Sequence, residues 1–260
     1  MTEPEYVLKA SHITKCFRRS LFSRKAKEVL LDVNLYLEPG HTVGLLGSSG
    51  CGKSTFAKIV NGMLRPDQGS ISLMGQDPFE MKKKTLARIV QMIFQQPEES
   101  FDPEMQIGKS ILEPMRLHGI GTEKERGQKR AELMEYMNLS EQLLTRYPHQ
   151  ISGGEAQRLA IVRALTLDPQ ILILDEPTSM LDVSTQAQIL NILKDLQKSR
   201  RLSYLFITHD SGAARWMCDE IAVMDQGRIL EYGETEAVFQ NPLQQWTKEL
   251  LYAWGDVKIG

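Results

Sequence analysis

Apolar and polar positions alternate along some segments of this chain and run together in others, and the two patterns predict different kinds of strand. Residues 29–37 set Val33, Leu35 and Leu37 against polar neighbours, the period of two expected of a half-exposed antiparallel strand. Residues 6–12 read as a second strand, joined to the first through a basic segment. Residues 42–46 are instead hydrophobic on both faces, the mark of a strand buried in a parallel sheet. A helix is predicted over 53–61, stopped by Gly62. The stretch LRPDQGSISLMG reads as turn, strand and turn, and 90–94 as a further strand.

The pattern then changes. Residues 108–118, 123–137 and 154–165 carry helical periodicity with few strand formers between them, and Asp168-Pro169 closes the last of these helices. Strands are predicted again at 171–174, 202–207 and 221–224, with helices over 183–196 and near Ala213. The tail TEAVFQNPLQQWTKELLYAW reads as one or two amphipathic helices. Strand–helix alternation implies a largely parallel sheet with ligands at the carboxyl ends of its strands. The fold class expected is therefore α/β, with an antiparallel β portion and an inserted helical subdomain. Residues 1–96 form the first part of the core, 97–160 the helical subdomain, 161–240 the second part of the core and 241–260 the tail.

Composition narrows the classes. At 260 residues the chain can bury a substantial core, and its net charge of −2 gives no global attraction to nucleic acid. Charge is uneven locally: RRSLFSRKAK (residues 18–27) holds five basic residues and no acid. That segment is either a solvated loop or a contact for lipid headgroups or nucleic acid. Cys16, Cys51 and Cys218 are too few and too scattered for a disulfide framework, and no ligand spacing predicts a structural metal. No basic-then-apolar leader opens the chain, and no apolar run approaches a membrane span.

Two stretches carry chemistry. GSSGCGKST, comprising Gly47, Ser48, Ser49, Gly50, Cys51, Gly52, Lys53, Ser54 and Thr55, follows a strand and opens a helix, the context in which a phosphate-binding loop is meaningful. Its glycines let successive amides curl toward a polyphosphate, and the helix N-terminus adds its dipole. Lys53 is expected on the β- and γ-phosphates and Ser54 on Mg²⁺. Cys51 faces either the nucleotide or the packing beneath the loop. ILILDEP then places Asp175 at the end of a buried strand, suited to hold Mg²⁺, with Glu176 one residue further on to polarise the attacking water.

Together ISGGEAQ, LILDEP, SMLD and His209 resemble the nucleotide-binding domain of ABC-type ATPases, over nearly the whole chain and in that family's order. The resemblance implies a P-loop NTPase core that hydrolyses ATP with Mg²⁺. It implies that Ser152, Gly153 and Gly154 reach the γ-phosphate held by a second subunit. A serine and bare glycine amides at a helix N-terminus make a second anion site, which one chain does not need for one phosphate. By the same resemblance Phe17 stacks on adenine, or is a core aromatic at a strand end. Gln95 contacts Mg²⁺ and water and links the core to the helical subdomain. Asp182 acts across the dimer, and His209 contacts the γ-phosphate.

Glu155 stands where glutamine is commoner and is expected to point away from the nucleotide. Ile151 and Met180 replace the usual leucine and alanine without loss of chemistry. Within the family, the basic insertion, FQQPEESFDP and NPLQQWTKELL resemble importer ATPases for peptides and nickel. Gln96, Phe101-Asp102 and Trp246 depart from that subgroup's usual residues, and the tail cysteines that hold an iron–sulfur cluster in some of its members are missing. The resemblance implies a partner ATPase, identical or related, two membrane permeases, an extracellular binding protein and a place at the cytoplasmic face of a bacterial cell membrane. A groove formed by residues 95–106 and the helical subdomain would receive a permease helix, with Phe101 or Met105 exposed in it or else packed within the subdomain. Oligopeptides or dipeptides are the expected cargo and nickel or a metal chelate the alternative. ATPases of this core in DNA repair or translation bring insertions that this chain lacks, and export would be decided by a permease absent from it.

Overall fold

The computed structural model describes residues 5–18, 26–179 and 181–254. The alternating strands of the first third pair with one another: β1 (Leu8–Arg18) lies between β2 (Ala26–Leu37) and β4 (Gln68–Leu73) in an antiparallel sheet. β1 runs on beyond residue 12, because His12 takes a φ of 56° and the pairing shifts register there and then resumes. Most of the basic segment 18–27 lies outside the described residues.

The doubly apolar strands build a separate six-stranded sheet. β3 (Thr42–Leu46), β5 (Val90–Ile93), β6 (Ile171–Asp175), β7 (Ser203–Thr208), β8 (Glu220–Asp225) and β9 (Arg228–Glu234) stand in the order β5-β6-β7-β3-β8-β9. All pairs are parallel except β8–β9. Unbroken apolar runs suit this sheet because both of its faces are covered. Ile171, Ile173, Leu205 and Ile207 pack with the antiparallel sheet and Phe56, whereas Leu172, Leu174, Tyr204 and Phe206 face the helices on the other side.

α1 (Lys53–Val60) follows the P-loop, and α2 (Lys83–Ile89) leads into β5. α3 (Ile107–Leu117), α4 (Glu123–Tyr136) and α5 (Gly153–Leu165) form the helical portion. α6 (Val183–Arg200) and α7 (Ser211–Met217) lie along the core, and α8 (Thr235–Gln240) and α9 (Gln245–Ala253) close the chain. The sequence pattern omits α2 and β9. α2 is a seven-residue helix with one buried residue, and β9 alternates weakly along a sheet edge, so neither has strong periodicity. Among the described residues no helix is long and apolar enough to cross a membrane.

Phe101 corrects an expectation. It is buried with Ile107, Ile111 and Leu159 inside the helical portion and is not exposed in a groove, while Met105 is partly exposed. An aromatic two residues from a proline has the pattern of an exposed loop side chain, but the 3₁₀ turn Pro97–Ser100 folds it inward.

Candidate active site

β3 ends at Leu46 in the middle of the parallel sheet, and the chain turns at once into the loop that opens α1. Gly47 and Gly52 adopt φ of 155° and 121° there. A Cβ on Gly47 would lie 2.1 Å from the Met224 carbonyl oxygen, and one on Gly52 2.8 Å from that of Val29. Backbone passes too close at both points for any side chain. The Lys53 ammonium is drawn into the curl, donating to the carbonyls of Gly47 at 2.7 Å and Ser48 at 2.9 Å. Cys51 faces the packing and not the solvent: it is buried beside Met224, and burial raises its thiol pKa although Lys53 lies near.

Asp175 closes β6 and is 7 % exposed. Burial pushes its carboxyl above the ordinary range; a hydrogen bond with Ser54 opposes the rise, Glu176 adds to it and Lys53 opposes it. Glu176 next to it takes a φ of 50°, a left-handed conformation that costs a non-glycine residue about 1–3 kcal/mol. Its amide is held by the Ile207 carbonyl at 2.9 Å. That turn brings the carboxylate between two other predicted residues. Gln95 Nε2 donates to Oε2 at 2.6 Å, and His209 Nδ1 stands 3.3 Å from Oε1. Gln95 follows β5, Glu176 follows β6, His209 follows β7 and the P-loop follows β3. Four neighbouring strands thus deliver the cluster at one edge of the sheet, as strand order in an open parallel sheet requires.

The turn Ser152–Gly154 lies across a cavity of about 200 Å³, lined by Gln95, Glu98, Gly153, Gln157, Glu176 and Ser179 among others. Ser152 caps α5, accepting from the Glu155 amide at 3.3 Å. Glu155 folds back so that Oε2 accepts from the Ser152 amide at 2.8 Å and from the Ser152 hydroxyl at 2.9 Å. Sequence reasoning misses this reciprocal cap, although Ser-x-x-Glu before an apolar run is its signal. No hydrogen bond joins this turn to the P-loop of the same chain among the described residues. Asp182 caps α6 in the same way, accepting from the Thr185 amide at 2.9 Å and from the hydroxyls of Ser184 and Thr185 at 2.6 and 2.7 Å. Those donors, Ser184 first, hold its carboxyl well below the usual carboxylate range.

Phe17 is exposed, with Lys15 Nζ 5.7 Å from its ring centre, so it is not a core aromatic. It pairs with Lys27 in β2, and Lys15 two positions earlier pairs with Leu30, which touches Gly52. The exposed ring therefore stands on the end of the antiparallel sheet nearest the P-loop.

Known proteins place this arrangement. Residues 30–179 match the ABC transporter family model. The chain is 39% identical to the di/tripeptide transport ATP-binding protein DppF of Pseudomonas aeruginosa, over 96% of this chain and 79% of that one. It is 39% identical to the oligopeptide transport ATP-binding protein AppF of Bacillus subtilis, over 95% of this chain and 78% of that one. The dimeric ATP-binding cassette MJ0796, solved in a post-hydrolysis state with ADP and phosphate, superposes with a TM-score of 0.79 at 26% identity, covering 88% of this chain and 98% of that one. With these matches, and with P-loop, Asp175, Glu176 and His209 gathered at one sheet edge, the chain belongs to the ABC transporter family and is an ATP-hydrolysing member of it.

Proposed function

We propose that this chain is the ATPase subunit of a bacterial importer for short peptides, working at the cytoplasmic face of the membrane as one half of a nucleotide sandwich. The observation that carries the chemistry is the Glu176 carboxylate held between Gln95 and His209 beside the P-loop. The peptide assignment is supported by the relatives, which are peptide transport ATP-binding proteins matched over 96% and 95% of this chain.

ATP enters with its adenine on the exposed face of Phe17 and its phosphates on the amides of residues 48–55. Lys53 is released from the Gly47 and Ser48 carbonyls toward the β- and γ-oxygens. Ser54, Asp175 and the Gln95 carbonyl supply hard oxygen donors, which fit Mg²⁺. The desolvation that raises the Asp175 pKa in the bare protein fits the same role, because a buried carboxylate gains most from a cation. Bound Mg²⁺ would neutralise phosphate charge as it develops. Glu176 accepts the proton of the attacking water, Gln95 orients that water and His209 stands at the γ-phosphate. The partner's equivalents of Ser152, Gly153 and Gly154 close the other side, and Asp182 acts at the same junction.

The relatives' peptide transport and the dimeric solved cassette both support a second ATPase and membrane permeases as partners, with an extracellular binding protein delivering the cargo. A cleft of about 300 Å³ between the core and the helical portion, with Met63 and Leu117 exposed at its rim and Phe94 within it, would receive a permease helix.

The test is capture of the chain from its native membrane, identification of what accompanies it and assay of ATP hydrolysis with candidate cargo. Two permeases, and hydrolysis raised by a peptide-loaded binding protein, support the reading. Stimulation by a metal chelate but by no peptide overturns the cargo, and a chain recovered with nucleic acid and no permease overturns transport.

A further inference from the structure

The Ser152 hydroxyl has one proton, and in this structure Glu155 holds it. Glu155 Oε2 accepts from both the hydroxyl and the amide of Ser152, while the serine oxygen accepts from the Glu155 amide. A γ-phosphate presents only acceptors, so a serine that is to bind it must turn this proton outward. The carboxylate remains bonded to the Ser152 amide as it does so. A full negative charge therefore stays one hydroxyl away from the most highly charged part of the incoming nucleotide.

We propose that Glu155 is a positioning residue that restrains sandwich closure, holding the Ser152 proton within its own chain and opposing the partner-bound γ-phosphate by charge. This inference rests on the reading that Ser152 completes the partner's nucleotide site. Glu155 is ionised at neutral pH: bonds from the Ser152 amide and hydroxyl hold its carboxyl below the ordinary range, and Arg146 and Arg158 act in the same direction. Those two arginines temper the repulsion without removing it, because they act through space and not as hydrogen-bonded partners of the carboxylate. A glutamine at this position would make the same two acceptor bonds with no charge. The bonds to Ser152 need only an acceptor here, although an anion also suits the helix N-terminus. The charge therefore acts on the nucleotide site as well as on the helix, and its effect at that site is to keep idle hydrolysis low until the transporter supplies the free energy of closure.

The experiment uses the transporter complex captured through this chain, assayed without cargo. E155Q is expected to lower the half-saturating ATP concentration by about tenfold, the effect of 1.4 kcal/mol, to raise the idle rate at low ATP and to flatten the dependence on ionic strength. Its thermal midpoint is expected to fall only slightly, because both acceptor bonds are kept while the charge that favours the helix N-terminus is lost. E155A loses cap and charge together, and is expected to melt earlier while showing the same shift in ATP dependence. An unchanged or raised half-saturating concentration in E155Q overturns the proposal. S152A separates the two layers: if it hydrolyses ATP like the unsubstituted complex, Ser152 does not complete a nucleotide site, and that reading fails whatever E155Q shows.

Discussion

Gln95 donates to Glu176 across 81 positions of sequence, with 2.6 Å between Nε2 and Oε2. The first residue belongs to the segment that leads into the helical portion, the second follows β6, which β7 separates from the strand that opens the P-loop. A displacement of that segment therefore changes the environment of the proposed base directly, with no intermediary. The proposed dependence of hydrolysis on cargo requires such a link.

Q95A is expected to leave ATP binding nearly intact and to lower cargo-stimulated turnover by about ten- to a hundredfold, a modest fraction of a general-base contribution. The sharper measurement is the ratio of stimulated to idle rate, which should fall toward one. A Q95A complex that keeps its full stimulation ratio would remove Gln95 from the coupling role.

E176Q keeps the size of the side chain and an oxygen for Gln95 but removes the proton acceptor. Turnover should fall by about 10²–10⁴, the usual contribution of a positioned base, with ATP affinity retained and an ATP-bound dimer accumulating on size-exclusion chromatography. A loss smaller than tenfold would assign the base elsewhere.

Much of this cluster is legible in the sequence, and the reason is local. P-loop, Asp175, Glu176 and His209 each follow an apolar strand within a few residues, so pattern and motif lie in the same window. What escapes the sequence is what depends on distance along the chain. Strand order determines that Gln95 and His209 flank Glu176 on opposite oxygens, and no window contains all three. Phe101 departs from its expected exposure for the same reason, since its burial depends on Ile107, Ile111 and Leu159 closing over it. The Ser152–Glu155 cap is different. Its signal is local, but the two glycines inside it are equally the signal of an anion site, and one short window then carries two meanings.

K53A removes a cation that the loop closes around and that the nucleotide is expected to claim. Loss of one donor to developing charge costs about 2.7–4 kcal/mol in the transition state, so turnover should fall by at least a hundredfold, with weaker ATP binding by calorimetry. A loss below tenfold would contradict the role.

G47A would force a methyl to 2.1 Å from the Met224 carbonyl. No rotamer relieves a clash between backbone and Cβ, so the cost falls at the severe end of single substitutions, roughly 4 kcal/mol. Chemical denaturation should show a large loss of stability, whereas G50A, with open space around its Cβ but an unfavourable φ of 78°, should lose only about 1 kcal/mol. Equal losses in the two variants would mean that conformation and not crowding determines the loop.

D175N carries the opposite sign for stability. Burial raises the Asp175 carboxyl pKa, so below the unfolded value of about 3.9 the acid is neutral in both states and contributes nothing to the pH dependence. As pH rises from there through the raised folded value, the unfolded chain ionises first and the folded state is progressively disfavoured. That penalty is fully present at neutral pH in the nucleotide-free protein. The amide of D175N keeps an oxygen for Ser54 and carries no charge to desolvate. Its thermal midpoint should exceed that of the unsubstituted chain at pH 7. The difference should shrink as pH falls toward 4, and Mg²⁺-dependent hydrolysis should be lost throughout. A D175N chain that melts at or below the original midpoint at pH 7 would mean that Ser54 and Lys53 already compensate the buried charge, and that the site stores no strain for a cation to relieve.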